Sequence, residues 1–205
     1  MNFHLFRAEF FDTVCFAANQ VYAWRPEFDK NNIGRWVKKG LVVRLRNGYY
    51  SFPEYLGKTD FAWYIANQIY KPSYISLHTA LSFYGLIPES VVQITSVSSL
   101  KTNAFTNSFG TYKYKSVQGN LMFGYDVKQL SGGQSLLFAK PEKALVDLLY
   151  LYPFYQSQAD FEGLRLDEDI LSEQADADLL MEYAVRMGSK ALELRVRTLI
   201  KTYGL

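Results

Sequence analysis

Hydrophobic residues in the first 57 positions recur at helical spacings that alternate with short β-prone runs, and residues that cap or stop helices separate the two. Apolar positions three and four apart predict helices because they share one helical face. Short β-branched and aromatic runs predict strands. In chain order the predicted elements are a helix from Phe3 to near Asp12, a strand over 13–16, a helix capped by Asn19 and stopped by Pro26, a helix from Asp29 to Gly40, and a hairpin over 41–52.

The third predicted helix has two chemically different faces. Its apolar residues, spaced i, i+3 and i+4, are expected to be buried: Ile33, Trp36 and Val37. Its polar residues, spaced i, i+4 and i+7, lie on the opposite face: Asn31, Arg35 and Lys38. Asn and Arg carry the paired hydrogen-bonding groups that match adenine and guanine edges in the major groove. The pattern therefore predicts one face for the core and one suited to DNA.

The hairpin is indicated by Asn47-Gly48, which separates two β-prone runs at residues 41–45 and 49–52. Asn-Gly is the strongest two-residue hairpin signal because both positions tolerate positive φ. The order helix, strand, helix, helix, hairpin predicts a winged helix-turn-helix DNA-binding domain over residues 1–57.

Beyond a predicted linker at residues 53–58, the pattern indicates a larger mixed domain over residues 58–205. Its predicted elements are a helix ended by Pro72, a helix over 74–84 capped by Ser73, strands over 91–97, 110–117, 121–127 and 135–139, a turn at Ser131-Gly132-Gly133, a helix over 141–151, and helices around 171–187 and 189–203. The fold class is α+β, with a mainly antiparallel sheet and C-terminal helices.

Charge is distributed unevenly along the chain. The formal net charge is +2, but residues 1–58 hold nine Lys/Arg and five Asp/Glu, which leaves −2 on the remainder. Between Lys30 and Phe52 there are six basic residues and no acidic one. Phosphate contacts require positive charge, so this segment favours nucleic acid as the partner.

Other bulk features exclude several classes of protein. Cys15 is alone, so neither a disulfide within the chain nor a thiolate metal cluster is expected. No signal-peptide pattern is apparent, and the apolar stretch at 144–154 is too short to span a bilayer. We expect a cytoplasmic protein without membrane contact.

Basic, acid-free helices are often merely solvated faces, but here the adjoining basic hairpin favours DNA binding. The candidate DNA-binding residues are Lys30, Asn31, Asn32, Arg35, Lys38, Lys39, Arg44, Arg46 and Asn47. Base contacts are expected from the helix, with Asn31 and Arg35 foremost and Asn32 and Lys38 as further candidates. Phosphate contacts are expected from Lys30, Lys39, Arg44 and Arg46.

Catalytic signals are weak. His4 and His78 lack metal-ligand spacing, and the glycines after Ser131 lack the lysine of a nucleotide loop. A nuclease-like triplet of Asp126, Glu142 and Lys143 is disfavoured because the latter two begin a predicted helix. Lys143 is instead expected to pair with Asp147 at i+4. We predict no enzymatic activity, no metal and no cofactor.

Three segments in order resemble the AbiEi family, the antitoxin and regulator half of abortive-infection toxin–antitoxin operons that act in phage defence. They are residues 34–50 (GRWVKKGLVVRLRNGYY), 65–89 (IANQIYKPSYISLHTALSFYGLIPE) and 142–149 (EKALVDLL). The second is the most distinctive, although His78 stands where the family has a polar, often acidic residue. After residue 155 the resemblance is less clear.

The resemblance implies an autoregulatory transcriptional repressor that binds inverted repeats of double-stranded DNA in its own promoter, with two copies per operator. It also implies an antitoxin that counters a nucleotidyltransferase-like toxin without forming a stable complex with it. The alternative is a protein-interaction module whose basic N-terminus has only non-specific nucleic-acid affinity. Residue pattern does not define the operator, the toxin, the oligomeric state or the role of the charged helices after Asp160.

Overall fold

The computed structural model describes residues 2–89, 91–130 and 132–205 of this α+β protein. The N-terminal elements are α1 (Phe3–Phe10), β1 (Cys15–Ala17), α2 (Ala18–Trp24), α3 (Asn31–Lys38), β2 (Val43–Arg46) and β3 (Tyr49–Ser51). The strands form an antiparallel sheet in the order β1-β3-β2. The predicted order of these elements is confirmed.

The start of α2 differs from the prediction. Asn19 is not its cap, because the helix already begins at Ala18. The side-chain oxygen of Gln20 accepts a hydrogen bond from the Ala17 amide at 2.6 Å, and the Ala18 amide donates to the Gly48 carbonyl at 2.8 Å. These two contacts fix the helix start two residues earlier than predicted and tie it to the β2–β3 turn.

Residues 53–58, predicted as a linker, are partly built into the N-terminal core. Pro53–Tyr55 is a 3₁₀ turn, and the Tyr55 side chain is buried. Its hydroxyl donates to the Phe11 carbonyl at 2.7 Å. The rest of that core is mainly aromatic and aliphatic, and it includes Phe6, Phe10, Val14, Phe16, Phe28, Trp36 and Phe52.

The remaining elements build a six-stranded sheet covered by helices. They are α4 (Thr59–Ile69), β4 (Ser73–Ile75), α5 (Leu77–Phe83), β5 (Gln93–Ser98), β6 (Asn103–Asn107), β7 (Gly110–Ser116), β8 (Tyr125–Gln129), β9 (Ser135–Ala139), α6 (Pro141–Leu151), α7 (Gln158–Glu162), α8 (Glu168–Gln174), α9 (Ala177–Arg186) and α10 (Lys190–Tyr203). The strand order is β6-β7-β5-β4-β9-β8. The sheet is mixed, since β5 pairs with β7 and β4 with β9 in parallel, while the other three pairs are antiparallel.

Several predictions in this part are wrong. The single helix predicted around 171–187 is two helices, α8 and α9, and the strand predicted over 121–127 begins only at Tyr125. Ser73 does not cap a helix; Ser73–Ile75 is a buried strand between β5 and β9, and α5 begins only at Leu77. Pairing on both edges overrides the local helical spacing here. The strand β6 was not predicted because its residues are polar and lie at the sheet edge. Of the predicted turn before β9, Ser131 lies outside the described residues, and Gly132 and Gly133 form a turn.

Helices cover both faces of the sheet. Tyr114 on β7 donates its hydroxyl to the Ala66 carbonyl of α4 at 2.7 Å. Ser96 on β5 pairs with Tyr114, so the side chain of the preceding residue, Thr95, points to the opposite face of the sheet. The Thr95 hydroxyl lies 3.1 Å from the Thr79 hydroxyl of α5. A continuous hydrophobic core runs through the sheet and both helical layers.

The N-terminal elements contact the six-stranded sheet directly. The side-chain amide of Asn107 on β6 donates to the Leu45 carbonyl of β2 at 3.1 Å. The side-chain amide of Gln134 donates to the Asp12 carbonyl at 3.0 Å. Among the described helices, none is long and apolar enough to cross a membrane.

Candidate nucleic-acid interface

The helix α3 is positioned by its caps and by the N-terminal core. The helix α3 begins at Asn31, two residues after the predicted Asp29, and its N-cap residue Lys30 makes no side-chain capping hydrogen bond. The Asp29 carboxylate accepts a hydrogen bond from the Asn31 amide at 2.9 Å and so satisfies one free amide at the start of the helix. At the other end Gly40 adopts a φ of +69°, and the Leu41 amide donates to the Trp36 carbonyl at 2.9 Å. This is the arrangement in which a left-handed glycine ends a helix.

The buried side of α3 packs on aromatic rings. Ile33 and Trp36 are buried, and Val37 is half-buried. The Trp36 ring lies 4.6 Å from Phe6 and 5.2 Å from Phe3, centre to centre. Because this side is held by the core, the opposite side is presented to solvent in a fixed direction.

That opposite side, here called the polar face of α3, consists of Asn31, Gly34, Arg35 and Lys38, all of them exposed. Gly34 was not among the predicted site residues, although its position three residues after Asn31 and four before Lys38 places it on the same face. A methyl group built at Gly34 would meet no atom within 4 Å. The middle of the polar face is therefore flat and free of side-chain bulk.

Arg35 is held by two neighbours across the start of the helix. Its guanidinium donates to the Asn32 side-chain oxygen at 3.1 Å and to the Asp29 carboxylate at 3.4 Å. Both charged side chains are about half exposed, at 62% and 47%, so the ion pair is weak and screened. Asn32 itself is only 9% exposed. Its predicted role in contacting bases is revised, since the side chain orients Arg35 from the buried side.

The hairpin carries a second set of the predicted residues. Arg44 is exposed, and its guanidinium donates to the Asn47 side-chain oxygen at 3.0 Å. Asn47 and Gly48 make the two-residue turn, with Gly48 at a φ of +80°. Tyr50 packs on Phe16, with ring centres 5.9 Å apart.

Arg46 lies differently from the other candidate cations. Its guanidinium carbon is 4.9 Å from the Tyr49 ring centre, 5.8 Å from Tyr70 just after α4 and 5.1 Å from Phe105 on β6. Cation–π contacts on three rings attach the hairpin to the six-stranded sheet. These contacts place Arg46 at the junction of the hairpin and the six-stranded sheet, and its phosphate contact stays a prediction.

The remaining candidate cations are exposed around the two ends of α3. The Lys30 ammonium lies 5.5 Å from the Tyr22 ring centre, next to the start of the helix. Lys38 and Lys39 lie at its end. Positive charge therefore lies at both ends of α3, and Arg44 adds an exposed charge on the hairpin.

The residues considered for catalysis are dispersed or used internally. Asp126 is exposed on β8, whereas Glu142 is buried and accepts from the Asp176 amide at 3.1 Å. Lys143 is fully buried and donates to Asp147, so the predicted i+4 pair is confirmed. Within the described residues, no group of His, Cys, Asp and Glu is arranged to hold a metal ion.

Asp147 is the centre of a buried polar network. The hydroxyls of Tyr74 and Ser76 each donate to its carboxylate at 2.8 Å, in addition to the Lys143 ammonium. Burial raises the pKa of Asp147, and Lys143 together with the two hydroxyls opposes that shift. The network joins α6 to β4 and to the residue that precedes α5, so its role is structural.

Comparison of the sequence with protein-family models and with curated proteins gives no match. The geometry of α3 and its hairpin is therefore the basis for assigning a function.

Proposed function

We propose that this protein is a DNA-binding transcriptional repressor whose N-terminal elements act as a winged helix-turn-helix, with α3 as the recognition helix and β2–β3 as the wing. The element order and the β1-β3-β2 sheet support this assignment. A helix of this size fits the major groove, which is about 12 Å wide.

The observation that carries the proposal is the exposed, acid-free polar face of α3. Guanidinium and amide groups at Arg35 and Asn31 match the donor and acceptor patterns of guanine and adenine. Between them, Gly34 leaves space for the helix backbone to approach base edges closely. A merely solvated helix face has no need of glycine at that position, where it destabilises a helix by roughly 0.5–1 kcal/mol relative to alanine.

The surrounding cations have a different role from the polar face. In this proposal Lys30, Lys39 and Arg44 bind phosphates and set the register of the helix, while Lys38 contacts bases or the phosphates beside them. Asn47 holds the Arg44 guanidinium at the tip of the hairpin. Asn32 orients Arg35, and Arg46 holds the hairpin against the six-stranded sheet.

One copy supplies few base contacts, so we infer that two copies bind paired half-sites in the promoter. The resemblance to AbiEi proteins supports a second role as an antitoxin to a nucleotidyltransferase-like toxin, acting without a stable complex. Under this proposal the protein works in the cytoplasm, needs no cofactor and catalyses no reaction.

Repression is tested with a reporter placed behind the DNA upstream of the protein's own gene. Lys38→Gln combined with Arg44→Gln removes two charges from the interface, and Arg197→Gln combined with Lys201→Gln removes two exposed charges from α10. The first pair is expected to relieve repression, and the second to retain it. Equal repression by all forms would overturn the proposal.

The antitoxin role is tested separately by co-expression with a nucleotidyltransferase-like protein encoded beside the gene. Growth should be restored by the wild-type chain and also by the Lys38→Gln, Arg44→Gln form, because toxin neutralisation is assigned outside the DNA interface. Failure of the wild-type chain to restore growth would refute the antitoxin role alone.

A further inference from the structure

A polar cleft lies where the N-terminal sheet meets α4 and the six-stranded sheet. One part, of about 300 Å³, is lined by the end of α4 and by β4 and β9. An adjoining part, of about 230 Å³, is lined by β1, α2 and β3. Gln68 and Lys71 line both parts, so the two parts adjoin at these side chains. The larger part alone reaches the lower size range of small-molecule sites.

Two buried side chains in the cleft have hydrogen-bonding groups without a partner. Asn67 is 5% exposed and Ser73 2%, and both line the larger part. The Asn67 side-chain oxygen accepts from the Leu137 amide at 2.6 Å, which fixes the orientation of its amide group. Its nitrogen, and the Ser73 hydroxyl, make no hydrogen bond within the described residues. Buried polar groups are normally satisfied, so these two indicate an absent partner that accepts hydrogen bonds.

The charge in the cleft has one sign. Lys71 is exposed at its mouth, and no acidic side chain is present among the residues that line either part. The nearby Cys15 thiol stays neutral at physiological pH, because burial raises its pKa to about 12. Lys71 therefore faces hydroxyl, amide and thiol groups, and its ammonium has no ion-pair partner in the described part of the chain.

We propose that this cleft binds the oxyanion of a small metabolite, a phosphate or carboxylate group held by the Lys71 ammonium, the Ser73 hydroxyl and the Asn67 amide nitrogen. An oxyanion accepts several hydrogen bonds at once, as these three donors require. The site is independent of the DNA interface, since none of its lining residues belongs to α3 or to the basic positions of the hairpin.

The proposal is tested on the full-length protein by NMR titration, with inorganic phosphate and succinate as separate probes at constant ionic strength set with sodium chloride. Saturable shifts are expected for the backbone amides of Asn67, Gln68 and Ser73. Saturation by one probe and not the other identifies the oxyanion as phosphate or as carboxylate. Absence of saturable shifts with both probes overturns the proposal.

Two substitutions and their matched controls locate the binding. Ser73→Ala is expected to weaken binding at least fivefold, whereas Ser96→Ala, which removes an equally unpartnered buried hydroxyl from β5 outside the cleft, leaves it unchanged. Lys71→Gln is expected to weaken binding at least tenfold, and Lys201→Gln on α10 to leave it unchanged. Because Lys71 is exposed, its substitution keeps the fold, and an unaltered affinity in Lys71→Gln would refute the site.

Discussion

The guanidinium carbon of Arg46, at the end of β2, lies 5.1 Å from the ring centre of Phe105 on β6. This contact joins the hairpin to a strand nearly sixty residues later in the chain. The Asn107–Leu45 hydrogen bond lies at the same junction. The hairpin is thus held at a defined angle by the six-stranded sheet.

Replacing Arg46 should affect stability as well as DNA binding. Arg46→Gln removes three cation–π contacts, so the free energy of unfolding is expected to fall by about 1–2 kcal/mol. Urea denaturation measures this change. Arg44→Gln is the matched control, because Arg44 is exposed and its loss should change stability by less than about 0.5 kcal/mol. Equal effects of the two substitutions would contradict the positioning role of Arg46.

Asp29 is predicted to restrain Arg35 in the absence of DNA. Asp29→Asn keeps an oxygen that can cap α3 but removes the charge that attracts the guanidinium. We expect DNA affinity to rise about two- to tenfold, since one repulsive charge near the phosphates is lost and Arg35 is released. Fluorescence anisotropy with the upstream DNA measures the change. Weaker binding by a variant with unchanged helical content would argue against this role.

Replacing Gly34 should change the stability of the protein and its affinity for DNA in opposite directions. Gly34→Ala should raise the free energy of unfolding by roughly 0.5–1 kcal/mol, because alanine favours the helix and its methyl group meets no atom. The same methyl group lies in the middle of the polar face, so DNA affinity is expected to fall at least fivefold. A variant that is more stable and binds DNA as tightly as wild type would show that α3 does not approach the DNA closely.

Removing one partner of the buried Lys143–Asp147 pair should strongly lower the free energy of unfolding. Asp147→Asn leaves the Lys143 ammonium buried without a counter-charge and is expected to destabilise the fold by about 3–5 kcal/mol. Adding Lys143→Met should recover most of the loss, because an amide oxygen can still accept from Tyr74 and Ser76. Thermal unfolding of the two variants measures the difference, and no recovery in the double variant would contradict the account.

Local pattern predicted the N-terminal elements well because each depends on neighbouring residues. The limits of α3 follow from Asp29 and Gly40, and the hairpin follows from Asn47-Gly48. The helix α6 has its predicted limits because Pro141 begins it and its apolar spacing continues to Leu151. Strand β4 could not be found in this way, because its partners β5 and β9 are distant in sequence. Strand β6 was missed although its partner β7 follows it directly in a hairpin.

Local pattern also predicted part of the candidate interface. Helical periodicity correctly placed Asn31, Arg35 and Lys38 on the exposed side of α3. The contacts of Arg46 were not predictable, because two of its three rings, Tyr70 and Phe105, are distant in sequence. Asn32 lies four residues before the buried Trp36 and therefore towards the core, which the prediction did not take into account. Whether these residues bind DNA stays a prediction.

The central claim is that the polar face of α3 and the cations around it bind duplex DNA. Its most direct test is the salt dependence of binding to the upstream DNA, measured by anisotropy for the wild type and the two charge-matched variants. With Lys30, Lys38, Lys39 and Arg44 on phosphates in each copy, the slope of log affinity against log salt is expected to be about −3 to −4 per copy.

In the Lys38→Gln, Arg44→Gln form the slope should become less negative by about 2, and binding should weaken. The Arg197→Gln, Lys201→Gln form should match wild type. Identical slopes and affinities for all three proteins would contradict the account.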